Sequence, residues 1–473
     1  MFPPFFVLPL GFIIFPYFYK QIFKLHLINS LKVFFFSGFL YALGFFSIFL
    51  IWIQNPFYIF EETKNYALIS FLLIIFLSFI FGIFFILFKF INNFRNLLIC
   101  IPLIFIIFEI FISNFLYGFP WFSIALIFSG NKIGSILLYL FGTYLTGVLI
   151  IIFFLIPQII IDSNKLFIIN NNKKLLIFFT LFSVIVIYLF VYQKENNKEF
   201  KQIKVDLFQT NHSITKNNYI SEEEKYDEIK KLVKASNADL LIFGENNFPY
   251  LINDMNQVML GEYLKNNNQT IIIGGIRKEN NNYYNSLLSI QKSNIKYFDK
   301  KILVPFGEFV PFRDYLKFME KISGSTDFSA GNTNRLINVN NEYTILPVIC
   351  YEIIFFWKLL NKKNNFADII INITNDSWFG NLIGPYQHFY LTKMRASELN
   401  KVLLRVSTNG ISGIIDSDGS ILDFIELNQQ KSISINLKLI GDKNNLVFFH
   451  KIYSFLLIFI FIVFLYLSIF KKR

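Results

Sequence analysis

The sequence predicts a multi-span α-helical membrane domain joined to an α/β domain that faces away from the cytoplasm. Three features predict it: an apolar composition, the uneven placement of the apolar residues, and the charges on the loops between them. Of 473 residues, 54% are hydrophobic and 16% charged, with 63 Phe; a soluble domain carries about 25% charged residues. The apolar residues crowd positions 1–192 and the end of the chain, leaving a polar middle at 193–446.

Spanning a bilayer takes about 20 apolar residues. Runs that qualify lie at 3–19, 32–53, 66–88, 97–116, 133–157, 175–192 and 452–470. The first lacks the basic start and small-residue cleavage site of a signal peptide, so it reads as a retained helix interrupted by Pro16. Lys20, Lys24 and Lys32 follow it; Lys89 and Arg95 follow the third run. Lys165, Lys173 and Lys174 follow the fifth, and Lys471, Lys472 and Arg473 end the chain. The intervening loops hold Glu61, Glu62 and Lys64, or Lys132 alone. Basic loops stay in the cytoplasm, so the N-terminus and the polar middle lie outside. The expected organisation is helices in 1–192, a catalytic domain in 193–446, and a last helix with a basic cytoplasmic tail in 447–473.

A net charge of +12 invites a nucleic-acid partner, but many of these lysines flank apolar runs, as topology requires. No zinc finger, helix-turn-helix or basic stripe with interleaved aromatics accompanies them. There is also no zinc-ligand cluster, P-loop or GxGxxG, so neither a metal nor a cofactor is expected.

The polar middle changes to short β-rich runs. IKVDLFQ (203–209), DLLIFGE (239–245), TIIIGGI (270–276), YTILPVICYE (343–352) and DIIINITN (368–375) read as buried strands. Helical spacing marks 222–236 and 388–404, and the Asn-rich stretches 266–269 and 279–285 read as surface turns. Strands alternating with helices give an α/β domain with its chemistry on loops at strand ends.

Three strand ends carry reactive groups: Glu245, Lys300 and Cys350. A cysteine attacks as thiolate, from a free pKa of about 8.5, so it needs a base or a nearby positive charge. A carboxylate can take the proton, and a lysine can stabilise a tetrahedral oxyanion. Taken singly, each has an ordinary reading: a solvated strand-end side chain, or a thiol packed in a strand. Cys100, the other cysteine, lies in an apolar run and reads as a small packing residue. His26 and His450 flank spans, which leaves His212 and His388 for a Cys/His enzyme, neither with a supporting motif.

FDKKILVPFGEFVPF (298–312), ILPVICYEIIF (345–355), INITNDSWFGNLIGPYQHFYLTKMRASE (371–398) and RVSTNGISGIIDSDG (405–419) together resemble the apolipoprotein N-acyltransferase family. YGFPW (117–121) resembles that family's GxPW segment in the membrane part. The resemblance implies a nitrilase-like αββα sandwich in the middle domain. It makes Glu245 the general base, Lys300 the oxyanion-stabilising lysine and Cys350 the nucleophile. Glu308, Tyr351 and Glu352 match supporting residues of the family. The implied reaction moves an acyl chain from a phospholipid through a Cys350 thioester to the N-terminal amine of a diacylglyceryl-modified apolipoprotein. The expected setting is the bacterial inner membrane with a periplasmic catalytic domain, and Phe355, Phe356, Trp357, Trp378 and Phe379 are candidates to line an acyl path.

The chain departs from the family's pattern in three places. Phe243-Gly244-Glu245 stands where the family has Trp-Pro-Glu, and Gly244 is expected to loosen the turn that aims the base. No Trp lies between Gln209 and Tyr219. The family's first helix is either absent or upstream of Met1. Competing readings are a membrane-tethered amidase using water, a transporter with an inactive appendage, and an inactive scaffold.

Overall fold

The computed structural model describes all residues except 92–93, 164–199, 213–219, 254–256, 264–267, 293, 321–323, 333, 340, 362–363, 441–445 and 471–473. The expected span at 175–192 lies outside the described residues, as does Tyr219. Two compact units emerge: Met1–Ile51 with Ser70–Asn197 and Leu446–Arg473, and Trp52–Ile69 with Lys198–Asn445.

The first unit is helical: α1 (Gly11–Ile28), α2 (Leu31–Phe49), α3 (Phe71–Ile86), α4 (Phe94–Asn114), α5 (Lys132–Ser163) and, near the C-terminus, a helix over Leu446–Phe470. Among the described residues, four stretches are long and apolar enough to cross a membrane: Leu31–Phe49, Glu61–Phe90, Asn96–Asn114 and Lys132–Ile161. This is a membrane protein. The expected first span at 3–19 is not what forms: 3–10 is mostly turn and 3-10 helix, and α1 starts at Gly11 and continues through Lys20 and Lys24 to Ile28. Three X-Pro positions near the start, Pro3, Pro4 and Pro9, disfavour α-helix there.

Small residues let these helices approach closely. A Cβ on Gly38 of α2 would collide with Phe85 Cβ of α3, and one on Gly82 would lie 2.9 Å from Phe35. Aromatic rings fill the rest: Phe81 meets Phe108 edge-on at 5.1 Å, and Phe46 lies 6.1 Å from Phe108. Such pairs add about 0.5–1.5 kcal/mol each beyond area burial. Gly142 breaks α5 at φ 65°. Glu109 is a buried carboxylate in α4, and its Oε2 accepts the Ile124 N–H at 3.0 Å.

The second unit is a two-sheet sandwich with helices on it, as expected. The strands are β1 (Phe200–Gln209), β2 (Leu240–Phe243), β3 (Thr270–Glu279), β4 (Asn282–Gln291), β5 (Asn294–Asp299), β6 (Ile337–Val339), β7 (Tyr343–Ile349), β8 (Ile369–Thr374), β9 (Val402–Ser407), β10 (Ser412–Ile415), β11 (Ile421–Ile425) and β12 (Lys431–Ile440). One sheet runs β12-β1-β2-β3-β4-β5 and the other β11-β10-β9-β8-β7-β6. In each, three central strands are parallel: β1, β2 and β3 in the first, β7, β8 and β9 in the second. These are buried on both faces, which explains their continuous apolar runs. The sheets face each other through β1 and β2 against β9 and β4 against β7.

A helix over Glu222–Ala235, α6, starts at a Ser221–Glu224 capping box and sets Tyr226, Ile229 and Val233 on the first sheet. Helix α7 (Gly384–Leu399) lies on β9 and β10, and the C-terminal Leu446–Phe470 helix of the first unit is α8. The helix expected at 388–404 stops at Leu399, because Asn400 takes a left-handed cap at φ 50° and the chain re-enters the sheet. The Asn-rich stretch 279–285 is also not all turn: Asn280 and Asn281 make the turn, while Asn282 begins β4 and Asn285 is buried. Of 266–269, 268–269 are described, and Gln269 is buried, donating to the Ser236 carbonyl.

The segment Trp52–Ile69 belongs to this second unit although it joins α2 to α3 in sequence. Trp52 Nε1 donates to Gln387 Oε1 at 2.9 Å, its ring meets Phe379 edge-on at 4.9 Å, and Asn55 Nδ2 donates to the Phe379 carbonyl at 2.9 Å. The boundary expected at 192/193 does not separate this segment from the membrane helices.

Candidate active site

Glu245, Lys300 and Cys350 sit just beyond the C-terminal ends of β2, β5 and β7, and all three are buried. Parallel strands deliver side chains to one end of a sheet in this way, and two facing sheets let strand ends from both contribute. Lys300 Nζ lies 3.8 Å from Glu245 Oε1 and 2.9 Å from Glu308 Oε1. The Cys350 thiol is within electrostatic reach of both Glu245 and Lys300. Cys350 itself holds φ 49° and opens a 3-10 turn, Cys350–Phe355. A non-glycine residue there costs of order 1–3 kcal/mol, strain that persists only where surrounding contacts enforce it.

Those contacts come largely from Glu352. Its carboxylate is fully buried and takes a two-pronged pair from Arg335: Nη1 to Oε2 at 2.6 Å and Nη2 to Oε1 at 2.8 Å. It also accepts N–H groups from Lys301 at 2.6 Å, Ile302 at 3.1 Å and Ile349 at 2.9 Å. One carboxylate therefore ties the residue before the thiol to the residues after the lysine. Tyr351 is buried against Phe355 at 5.0 Å.

Glu245 is fixed at both oxygens: Asn285 Nδ2 donates to Oε1 at 2.7 Å and the Asn375 N–H to Oε2 at 2.7 Å. Asn285 Nδ2 also reaches Glu308 Oε1 at 2.8 Å, and the Val304 N–H holds Glu308 Oε2 at 2.8 Å. Gly244 is not loose. Its N–H donates to Asn247 Oδ1 at 2.7 Å, its carbonyl accepts from Gly274, and Thr408 Oγ1 bonds the Glu245 carbonyl at 2.8 Å. A Cβ on Gly244 would meet Thr408 Oγ1 at 2.7 Å, so glycine is what this packing admits.

Burial raises the Glu245 carboxyl above the ordinary carboxylate range; Glu308 adds to this and Lys300 opposes it. Burial also disfavours charge on Lys300, but Glu308, Cys350 and Glu245 outweigh it and keep the ammonium charged. The Cys350 thiol is pushed up to about 12 by burial and the Glu245 charge, with Lys300 and a hydrogen bond to Thr374 pulling the other way. The resting centre is thus a neutral thiol beside a raised carboxyl and a permanent positive charge, a set suited to acyl chemistry with coupled proton transfer.

The two histidines open to a Cys/His reading are each committed to a carboxylate. His212 Nε2 lies 2.9 Å from Glu228 Oε2, and His388 Nδ1 lies 2.9 Å from Asp376 Oδ1. Of the aromatics expected along an acyl path, Phe355 and Phe356 are buried core, and Phe379 is wedged between Trp52 and His388. Trp357 is half-buried and Trp378 is exposed. Cys100 is a buried free thiol, and Cys350 is likewise unpaired by disulfide. Sequence reasoning missed Asn285, Arg335, Thr374, Asn375 and Thr408. Only Asn375 had a visible signal, as the polar end of an apolar strand.

The carbon-nitrogen hydrolase family model matches residues 204–439, and the model for the apolipoprotein N-acyltransferase N-terminal domain matches 1–156. An apolipoprotein N-acyltransferase of Rickettsia typhi is 32% identical over 351 residues, covering 72% of this chain and 69% of that one. One from Brucella melitensis is 35% identical over 202 residues, covering 40% of this chain and 38% of that one. Among solved structures, a CN-hydrolase superfamily protein from Xanthomonas campestris aligns at 16% identity and a TM-score of 0.38, over 50% of this chain and 91% of that one. With relatives matched through both its helical and its sandwich parts, the chain belongs to the apolipoprotein N-acyltransferase family.

Proposed function

We propose that this protein transfers an acyl chain from a phospholipid to the N-terminal amine of a diacylglyceryl-cysteine on an apolipoprotein, through a thioester on Cys350. The observation that carries the reading is the convergence of Cys350, Glu245 and Lys300 at adjoining strand ends. Glu245 takes the thiol proton as sulfur attacks the sn-1 ester carbonyl, and Lys300 faces the oxyanion. Collapse breaks the ester C–O bond, and Glu245 returns the proton to the departing lysophospholipid hydroxyl. The acceptor amine then attacks the thioester carbonyl; Glu245 takes the amine proton, the C–S bond breaks and the thiol is regenerated. Ester and amine become alcohol and amide, with no cofactor needed for the balance. A raised carboxyl suits a group that must accept and return a proton twice per cycle.

Glu308 keeps Lys300 in place, and Glu352 with Tyr351 shapes the nucleophile turn. The helices of 1–192 and 447–473 hold the protein in the bacterial inner membrane, with the 193–446 catalytic domain on the periplasmic side, a reading that the basic alternate loops support. There both lipid substrates reach the site from the bilayer.

The test mixes the full chain in detergent with phosphatidylethanolamine and a diacylglyceryl lipopeptide, with Cys350→Ala as control. A hydroxylamine-labile acyl group on Cys350 and a triacylated peptide are expected. Absence of both sinks the reading, and a thioester that yields only free fatty acid makes the protein a hydrolase.

A further inference from the structure

The segment Trp52–Ile69 touches the catalytic centre by a route the proposed mechanism does not use. Beyond β8 the chain makes a single 3-10 turn, Asp376–Phe379, capped by Asn375, whose Oδ1 accepts the Ser377 N–H at 3.1 Å and the Ser377 hydroxyl at 2.7 Å. At the start of this turn the Asn375 N–H donates to Glu245 Oε2 at 2.7 Å. At its end the Phe379 carbonyl accepts Asn55 Nδ2 at 2.9 Å. Glu245 and Asn55 therefore hold opposite ends of one turn.

The seat for Asn55 is shaped on several sides. The Trp52 ring meets Phe379 edge-on at 4.9 Å, and Trp52 Nε1 donates at 2.9 Å to Oε1 of Gln387, a fully buried residue of α7. A Cβ on Gly380, at φ 68°, would collide with the Asn55 side chain, and one on Gly384 would lie 2.9 Å from Trp52 Cγ. Two glycines thus leave the room that Asn55 and Trp52 fill. Behind the turn, Asp376 pairs with Arg405 Nη2 at 2.7 Å and His388 Nδ1 at 2.9 Å. Asp376 secures the first residue of the turn, while Asn55 and Trp52 bear on the last. A turn this short has little slack between its ends, and a hydrogen bond weakens steeply when it is stretched or bent. Freeing Phe379 is therefore felt at the Asn375 N–H.

We infer that Asn55 is a positioning residue for the base: through the Phe379 carbonyl it holds the Asp376–Phe379 turn, and with it the Asn375 N–H, against Glu245. The inference rests on Glu245 being the base of the proposed reaction. A donated N–H favours the ionised carboxylate, so losing it raises Glu245 further above the ordinary range. The charged and titratable groups that face Glu245 are Lys300 beyond β5, Glu308 in the loop after it and Cys350 beyond β7, with Asp376, Arg405 and His388 behind Asn375. A substitution at Asn55 leaves all of these side chains unaltered.

The test compares wild type, Asn55→Ala and Asn55→Leu as full chains in detergent. One reading is the pH profile of kcat/KM for acyl-thioester formation from phosphatidylethanolamine; the other is hydrogen exchange at the Asn375 amide, resolved by overlapping peptic peptides. Both variants lack the donor, and Asn55→Leu keeps the bulk. Both should move the acid limb up by about one pH unit, the scale of one backbone donor to a carboxylate, and speed Asn375 exchange about tenfold. A lower melting temperature with an unmoved limb and unmoved Asn375 exchange makes Asn55 merely structural and overturns the inference. A shift in Asn55→Ala alone reports lost packing and overturns it too. If Asn55→Ala does not fold, Asn55→Leu decides, and no shift there overturns the inference. A wild type that forms no thioester defeats the proposed function separately, and the exchange reading still decides whether Asn55 holds the Asn375 amide.

Discussion

Replacing Glu352 by Gln isolates the clamp between the nucleophile turn and the lysine loop. The change keeps the shape but removes the charge that Arg335 faces, with both partners almost wholly buried. It also turns one of two oxygens into an N–H₂ group. Whichever way the amide sits, that group points at a donor it cannot satisfy: Ile349 N–H on one side, Lys301 and Ile302 N–H on the other. Breaking a buried pair by removing one partner costs about 3–5 kcal/mol. Against a total of about 5–15 kcal/mol for a folded domain, that is a large fraction. At ~2–4 °C per kcal/mol for a domain of this size, the sandwich should melt roughly 6–20 °C lower. Scanning fluorimetry in detergent reads this, beside acyl-thioester formation at a temperature where the variant is still folded. Thioester formation should fall too, because Cys350 at φ 49° loses an anchor one residue away. Adding Arg335→Met should restore part of the loss, since no lone buried charge then remains. A single variant that melts within about 2 °C of wild type refutes the clamp argument.

Lys300→Met removes the charge proposed to face the oxyanion and should cut thioester formation by about 10²–10³-fold, measured by single-turnover mass spectrometry. In the proposed reaction Glu245 acts ionised, and burial raises it, so the acid limb of kcat/KM should lie above the ordinary carboxylate range; a limb near pH 4 contradicts that role. Gly244→Ala should destabilise by about 1–3 kcal/mol through overpacking against Thr408, and Gly244→Pro by more, since it also deletes the N–H that Asn247 accepts; thermal melts rank them. Asp376 has a depressed folded value, so its contribution is full above the unfolded value of about 3.9 and is lost as pH falls toward about 2. Denaturant midpoints of wild type and Asp376→Asn should therefore differ at pH 7 and converge in acid.

The parts of the fold with a strong one-dimensional signal were readable. Apolar runs gave the helices around 32–53, 66–88, 97–116 and 133–157, and short buried runs gave β1, β2, β3, β7 and β8, with Glu245 and Cys350 beyond the ends of β2 and β7. Cys350 stood out as the one thiol in the polar middle. Residues whose role depends on distant partners were not readable. Arg335 meets Glu352 across 17 positions, and Asn285 meets Glu245 across 40. Asn285 was further hidden in an asparagine-rich stretch, where composition mimics a turn and only alternation along β4 separates the buried residue from its neighbours. Gly244 misled for a related reason: a glycine reads as freedom in one dimension, and its constraint comes from Thr408, far along the chain. The helix expected to reach 404 stopped at Asn400 because a single residue in the left-handed region suffices to end it.

The placement of Trp52–Ile69 bears on how this protein can be taken apart. A chain begun at the apparent start of the polar region would leave Gln387 without its indole donor and bare the Phe379 ring, one residue pair away from His388 and Asp376. A soluble fragment of that kind should precipitate or lose activity for want of eighteen residues encoded far upstream. Supplying that segment as a separate or grafted strap is the natural remedy. The sandwich is therefore a non-contiguous module, and any transplant of it into another membrane scaffold has to carry this strap along.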